Sequence, residues 1–298
     1  MSRGLLALVV TLAAVGTASA EPLTVGVFAP STPFAGTAAR LEFAKAVAVH
    51  VGGPDAVGRV YGRSADFASA AARGEIQLAV VDATYLATAS LAHTPLAVAV
   101  ADGDASVGWQ LIARTGIATI LELRGRTVLA PVGDGQHTAF VDHALLGGEL
   151  PPGFWRVEPS PDAASAVAAV GLGKADAAVA PLGLALPGGV AVVAALPSVS
   201  RPIAIALKAA PPEVVAAARA RLPSFSASGP INGFRAAGGD AYRGLARRLR
   251  RIVRQAPLIV PNLRLAVDAL LDGRRFAITT APVTDFFRRD RAAARARE

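Results

Sequence analysis

Three short strand-like runs near the N-terminus alternate with two helical patterns, and this alternation restricts the fold more than any other feature of the chain. The runs span residues 23–29, 57–61 and 76–81, and the helical patterns span residues 36–51 and 64–73. Each helical pattern ends at glycine, where helices commonly stop. Strands that alternate with helices through short links form parallel sheets with helical crossovers. The sequence therefore predicts an α/β fold.

A second α/β unit follows before the chain returns to the first. Strand patterns at residues 126–131, 154–158 and 175–180 alternate with helical patterns. Two further strand patterns, at residues 190–196 and 203–207, lie on either side of a turn predicted at Pro197-Ser198. We therefore expect two doubly wound α/β domains. Domain 1 is predicted to comprise residues 21–105 plus 200–240, and domain 2 to be inserted as residues 106–199. Residues 241–298 are predicted to form a basic, mostly helical C-terminal extension.

Residues 1–20 have the pattern of a cleaved secretory signal. Arg3 precedes an apolar run, and Ala18-Ser19-Ala20 supplies the small residues of a cleavage site. The apolar run is about a dozen residues long, which is shorter than the roughly 20 residues that a helix needs to cross a bilayer. This length favours a signal over the alternative, a membrane anchor. We therefore expect a periplasmic protein that begins near Glu21.

Cysteine content and charge limit the partners of the chain. The absence of cysteine excludes a lipidated N-terminal cysteine, disulfides and thiolate metal sites. The net charge of +8 belongs to the C-terminal quarter, because residues 235–298 carry 15 arginines against 6 acidic residues. A solvated arginine-rich helix face explains this bias, and attraction to an anionic lipid surface or partner is the alternative. Nucleic acid is not expected as a partner of an exported protein.

Several stretches resemble the type 2 periplasmic solute-binding proteins, in particular their phosphate- and phosphonate-binding branch. The stretches are residues 23–29, Asp66-Phe67 with residues 74–85 (GEIQLAVVDATY), residues 121–130 (LELRGRTVLA) and residues 172–180 (LGKADAAVA). The resemblance covers roughly residues 22–236 and implies two α/β domains joined by a two-strand hinge. It also implies that a solute binds in the cleft between the domains, which close around it.

The carboxyl ends of strands in open α/β sheets are the expected location of the site. Four loops supply the candidate residues: Ser31 and Thr32; Asp82, Thr84 and Tyr85; Gly135, Gln136, His137 and Thr138; and Ser198. In the third loop, glycines lead into a helix whose first N–H groups and positive dipole end favour an anion. The resemblance implies that residues 135–138 hold the anion and that Tyr85 contacts the ligand. Asp82 as a helix cap and Tyr85 as a core residue are the alternatives.

Departures from the family pattern favour a simple oxyanion over an aminophosphonate. Ser160-Pro161 stands where that branch carries a histidine, and the acidic residues that would hold an amine are not found at the expected positions. Gly133-x-Gly135 lacks the third glycine of a dinucleotide fingerprint. His137 and His143 do not share a helix face, as a metal-binding pair would. No cysteine nucleophile or Gly-x-Ser-x-Gly elbow occurs, so we expect no enzyme activity, no cofactor and no metal.

Together these observations predict an exported, monomeric solute-binding protein that captures a small anionic solute, such as phosphate or a phosphonate, for an ABC importer. Its protein partner would then be the importer's permease. The alternative is a ligand-presenting sensor, or an interaction protein that docks on a membrane or a partner through its arginine-rich C-terminus.

Overall fold

The computed structural model describes residues 22–133, 135–237 and 242–249. The predicted signal segment lies outside these residues. Most of the predicted C-terminal extension, from residue 250 onward, also lies outside them.

The described residues contain eleven strands and seven α-helices. The strands are β1 (Thr24–Phe28), β2 (Val57–Val60), β3 (Leu78–Val81), β4 (His93–Val100), β5 (Ser106–Arg114), β6 (Thr127–Ala130), β7 (Arg156–Pro159), β8 (Ala177–Pro181), β9 (Val190–Ser200), β10 (Ile203–Leu207) and β11 (Gly233–Ala236). The helices are α1 (Thr37–Gly52), α2 (Ser64–Ala72), α3 (Ala83–Thr88), α4 (His137–Ala139), α5 (Ala163–Gly171), α6 (Pro212–Arg221) and α7 (Arg243–Leu249). A π-helical turn, Phe140–Leu145, continues α4.

The strands form two separate sheets, as the sequence predicts. The first has the order β11-β4-β10-β3-β1-β2, and the second has the order β7-β6-β8-β5-β9. β1 pairs in parallel with β2 and β3, while β10 runs antiparallel to β3 and β4. In the second sheet, β6 pairs in parallel with β7 and β8, and β5 runs antiparallel to β8 and β9. The α/β fold class is therefore confirmed.

The chain crosses between the sheets twice, which creates the expected two-strand hinge. It leaves the first sheet between β4 and β5 and returns between β9 and β10. The two crossings are hydrogen-bonded to each other, since Arg201 N donates to Ala105 O at 2.9 Å and Ala99 N donates to Pro202 O at 2.8 Å. We call the first sheet with α1, α2, α3 and α6 lobe 1, and the second sheet with α4 and α5 lobe 2. The turn predicted at Pro197-Ser198 is wrong, because β9 continues without interruption to Ser200.

Small aliphatic side chains and a few aromatic residues fill the cores. One apolar cluster of lobe 1 packs Phe43 of α1 against Phe225 and Phe234. A larger cluster runs from Phe28 and Phe67 in lobe 1 through the hinge strands to Phe140 in lobe 2. The lobes therefore share a continuous apolar core near the hinge. No helix of the described residues is long and apolar enough to cross a bilayer.

The first part of the predicted C-terminal extension contacts the two lobes. α7 packs against α3 of lobe 1 and against the π-helical turn of lobe 2. Leu245 and Leu249 are buried in the large apolar cluster, and Arg248 Nη1 donates to Ala144 O at 3.0 Å. The basic helix therefore uses its leucines for packing, while Arg243 and Arg247 remain exposed.

The contact between β2 and α1 generates a stability prediction. A methyl group added at Gly58 would lie 2.5 Å from the carbonyl carbon of Ala44 in α1, a distance that requires the backbone of the helix to move. We expect Gly58→Ala to lower the free energy of unfolding by about 2–3 kcal/mol, measured by denaturant titration. Gly244→Ala is the control, because nothing lies within 4 Å of its added methyl group. Equal stability of the two variants would contradict the close approach of β2 and α1.

Candidate functional site

A cavity of about 380 Å³ lies between the two lobes. Lobe 1 contributes Phe28, Pro30 and residues 62–65, and lobe 2 contributes Val132, Gly133 and residues 159–161. These residues follow the ends of β1, β2, β6 and β7, so the cavity occupies the carboxyl edge of the parallel strands in both sheets. This is where open α/β sheets bind ligands, and the volume suits a small solute.

The first turn of α2 gives the cavity its polar character. Helix α2 begins at Ser64, and the residue before it, Arg63, makes no side-chain cap. The N–H groups of this turn have no partner within the helix, and the positive end of the helix dipole points the same way. Among the described residues that line the cavity, Arg63 is the charged one. N–H groups, a guanidinium and the Ser64 hydroxyl together match a small oxyanion.

The opposite wall approaches lobe 1 closely at Gly133. A methyl group added there would lie 3.4 Å from Phe28 Cζ and 3.9 Å from the Ser64 hydroxyl. Gly133 is not among the glycines with positive φ, so a larger residue meets steric resistance from the cavity rather than from the backbone. The lobes are therefore in near contact across the cavity, which corresponds to a closed cleft.

Two predicted site residues, Ser31 and Asp82, lie next to the cavity and bind each other. Ser31 N donates to Asp82 Oδ2 at 2.8 Å, which links the loops after β1 and β3. Asp82 is only 3% exposed, and its Oδ1 has no hydrogen-bond partner among the described residues. Thr32 is buried in the same loop, and its Oγ1 also lacks a partner there. Burial raises the pKa of Asp82 to about 7, against the opposing effects of Ser31 and the Arg40 charge.

Thr84 and Tyr85 both lie in α3. Thr84 is buried. The Tyr85 ring packs edge-on against Phe28 at 5.1 Å and against Phe67 at 5.7 Å between ring centroids. Because Phe28 lines the cavity, Tyr85 supports the wall of the cavity from behind. A ligand contact by its ring stays a prediction.

The predicted anion loop, residues 135–138, continues from the cavity wall at Gly133. Gly135 has φ +68° and is exposed, which allows the chain to turn into α4. Gln136 precedes α4, Thr138 is exposed, and His137 is half-buried with an Nδ1 that has no partner among the described residues. Helix α4 itself has only three residues before the π-helical turn. The helix predicted after this loop is therefore present, as a short α-helical start that continues into the π-helical turn.

Ser198 lies in β9 and is exposed, and it is not among the residues that line the cavity. Sequence reasoning did not assign residues 62–65 or 159–161 to the site. Ser64 was recognised only as the start of a helix. The strand–helix–strand alternation predicts that β2 pairs in parallel with β1. This pairing brings the end of β2 to the same edge as the ends of β1 and β3.

Beside the cavity, the start of α5 in lobe 2 touches lobe 1 directly. Ala163 N donates to Pro30 O at 3.0 Å. Asp162, which caps α5, pairs with the buried Arg40 of α1 at 3.5 Å between Oδ2 and Nη2. These contacts join the lobes through one hydrogen bond and one ion pair. Among the described residues, no group of three or more histidine, aspartate and glutamate side chains is arranged to hold a metal ion.

The buried Asp82 generates a pH prediction. Its pKa is about 7 in the native state and near its ordinary value of 3.8 when the chain unfolds. The native state therefore holds the proton more tightly, and the free energy of unfolding falls as the pH rises between these two values. We expect a loss of about 1–3 kcal/mol between about pH 5 and about pH 8. Asp82→Asn should keep the acceptor for Ser31 N and remove most of this loss in urea titrations; an unchanged pH dependence would contradict it.

Comparisons with known proteins agree on the fold. No protein-family model matches the chain, and no curated sequence matches it. Solved structures do match. A binding component of an ABC phosphonate transporter from Pseudomonas aeruginosa has a TM-score of 0.58 at 14% identity, over 76% of this chain and 85% of that one. PhnD1 from Prochlorococcus marinus in complex with methylphosphonate has a TM-score of 0.57 at 11% identity, over 76% and 97% of the two chains.

A Xanthomonas citri protein bound to ATP has a TM-score of 0.55 at 13% identity, over 77% of this chain and 97% of that one. The matches cover most of each chain, so they concern the whole two-lobe arrangement. The predicted two-lobe α/β fold is thus confirmed: the chain shares its fold with the binding component of the phosphonate transporter and with PhnD1.

Proposed function

We propose that this protein is an exported solute-binding protein that captures a small oxyanion of the phosphate or phosphonate class for an ABC importer. The observation that carries the proposal is the interlobe cavity, with the uncapped first turn of α2 and Arg63 on one wall. The three similar structures come from a phosphonate transporter, a methylphosphonate complex and an ATP complex. Methylphosphonate and ATP both carry a phosphorus-centred oxyanion group, which supports the same chemistry here.

We infer that both lobes contribute ligand contacts. On lobe 1, the N–H groups of the first turn of α2, the Ser64 hydroxyl and Arg63 bind the oxyanion. On lobe 2, the loop of Gly135, Gln136, His137 and Thr138 follows directly from the cavity wall and offers the exposed Thr138 hydroxyl. Ser31, Thr32 and Asp82 support the cavity from the loops after β1 and β3, Thr84 and Tyr85 support it from α3, and a contact by Ser198, which does not line the cavity, stays a prediction. Closure of the lobes then surrounds the solute and excludes water.

The binding test uses the chain from Glu21 onward with inorganic phosphate, methylphosphonate and sulfate as separate probes. Calorimetry and thermal unfolding should show stabilisation by at least one of the phosphorus oxyanions, by about 2.7 kcal/mol at 100 times the dissociation constant. Arg63→Gln should weaken binding by about 10- to 150-fold, because a charge-assisted hydrogen bond contributes about 1.5–3 kcal/mol. Thr138→Ala should weaken binding by less, since a neutral hydrogen bond contributes about 1 kcal/mol.

Two controls separate site effects from general ones. Arg59→Gln removes the same charge from the exposed face of β2, outside the cavity, and should leave the affinity unchanged. Gly133→Val should abolish binding by filling the cavity, whereas Gly188→Val adds the same side chain where nothing lies within 4 Å. No stabilisation by any of the three anions, or equal affinities of Arg63→Gln and Arg59→Gln, would contradict this proposal.

Export forms part of the same proposal. Expression of the full chain in a bacterium with two membranes should yield a periplasmic protein whose N-terminus is Glu21, as measured by intact-mass spectrometry. The purified protein should elute as a monomer. A product that retains residues 1–20 in the membrane fraction would instead support the membrane-anchor alternative.

A further inference from the structure

The lobes meet beside the cavity through a small set of polar contacts. Arg40 belongs to α1 of lobe 1 and is 4% exposed, although it carries a full charge. Its Nη2 lies 3.5 Å from Oδ2 of Asp162 in lobe 2. One residue further along, Ala163 N donates to Pro30 O at 3.0 Å. An ion pair and a backbone hydrogen bond therefore join the lobes at adjacent residues of lobe 2.

We propose that Arg40 and Asp162 form an interlobe clasp that holds the cleft closed, and that Asp82 makes this clasp sensitive to pH. The clasp regulates opening of the proposed binding site, so its biological role rests on the proposed function. Its physical action does not, because opening and closing are measurable without any ligand.

The burial of Arg40 explains why Asp162 matters. A buried guanidinium without a nearby carboxylate is strongly destabilising, whereas the same group in water is not. In the closed arrangement, Asp162 supplies the carboxylate that Arg40 contacts, and Arg40 Nε has no partner among the described residues. When the lobes separate, both charges return to water. Loss of Asp162 alone therefore penalises the closed state and favours the open one.

Asp162 also has a local role that the experiment must preserve. Its Oδ1 accepts a hydrogen bond from Ser165 N at 2.8 Å and caps α5. Asparagine caps helices about as well as aspartate. Asp162→Asn therefore removes the charge of the clasp while the helix start is retained.

Asp82 is the second carboxyl group of this cluster. Arg40 is the charged group of α1 that acts on Asp82, Ser31 contacts Asp82 from the loop after β1, and Asp162 of α5 pairs with Arg40. The start of α5 covers the loop that carries Ser31, because Ala163 binds the neighbouring Pro30. In the proposed mechanism, this cover is what keeps water away from Asp82 when the lobes close.

The direction of the pH effect follows from this burial. Burial raises the pKa of Asp82 to about 7 in the closed arrangement, and hydration on opening returns it toward its ordinary value. The closed state therefore binds the proton more tightly, so lower pH favours closure and higher pH favours opening. Between about pH 8.5 and about pH 5.5, we expect the closed-to-open ratio to rise by on the order of tenfold.

The test measures the distance between the lobes in the ligand-free protein. The chain has no cysteine, so Lys45→Cys in α1 and Ala168→Cys in α5 provide two exposed positions for spin labels. Pulsed dipolar spectroscopy at the two pH values gives the closed and open populations. Asp162→Asn should lower the closed-to-open ratio at least about tenfold at pH 5.5, since it removes the carboxylate that the buried Arg40 contacts while Asp82 is protonated. Asp82→Asn should remove the pH dependence while closure is retained.

Two further variants keep the result interpretable. Glu213→Gln removes an exposed carboxylate from the first turn of α6 and should change neither population. Arg40→Met combined with Asp162→Asn removes both charges, and it should recover most of the closure that Asp162→Asn loses, as expected for directly coupled residues. Circular dichroism of each variant establishes that the fold is retained.

Several outcomes would overturn the proposal. An unchanged closed population in folded Asp162→Asn would show that the pair does not hold the lobes. A wild-type protein that is open at both pH values would have the same meaning. If the closed-to-open ratio still depends on pH in Asp82→Asn, Asp82 has no part in the mechanism. If the ligand-free protein behaves as expected but no oxyanion binds, the proposed function fails while the clasp stands.

Discussion

The parallel pairing of β1 with its neighbours is the constraint on which the rest of the structure depends. Because β1 pairs in parallel with β2 and β3, the carboxyl ends of all three strands lie at one edge of the sheet. The loops after β1 and β3 and the start of α2 are therefore neighbours. In the second sheet, β6 and β7 bring Gly133 and residues 159–161 to a corresponding edge. The double crossing of the hinge turns these two edges toward each other, and the cavity is the result.

The burial of charged groups is the second constraint on the structure. Arg40 and Asp82 are only 4% and 3% exposed, although both side chains can carry a charge. Charges in such positions are tolerated only when they are paired or when their pKa shifts. Arg40 is paired with a carboxylate of the other lobe, and Asp82 shifts its pKa. Stability and lobe closure are consequently linked to the same two side chains.

The site was only partly predictable because its residues come from separate segments. The loop of Gly135 to Thr138 attracted attention since glycines before a helix are a local pattern. Arg63 and Ser64 carry no comparable pattern, and they reach the cavity only because β2 pairs with β1. Ser198 illustrates the reverse case. A proline beside it indicated a turn, but pairing of β9 with β5 keeps the strand continuous on both sides of it, with a register shift opposite Gly108.

The sequence by itself determined the fold class and the order of strands and helices, because these depend on local periodicity and on glycine and proline at the ends of elements. It also determined the absence of thiol chemistry and the concentration of positive charge near the C-terminus. Only the tertiary structure decided which loops meet, that Arg40 faces Asp162 from the other lobe, and that Asp82 loses its water. Those properties depend on contacts between residues more than 50 positions apart, such as Ser31 with Asp82, and no local pattern records them.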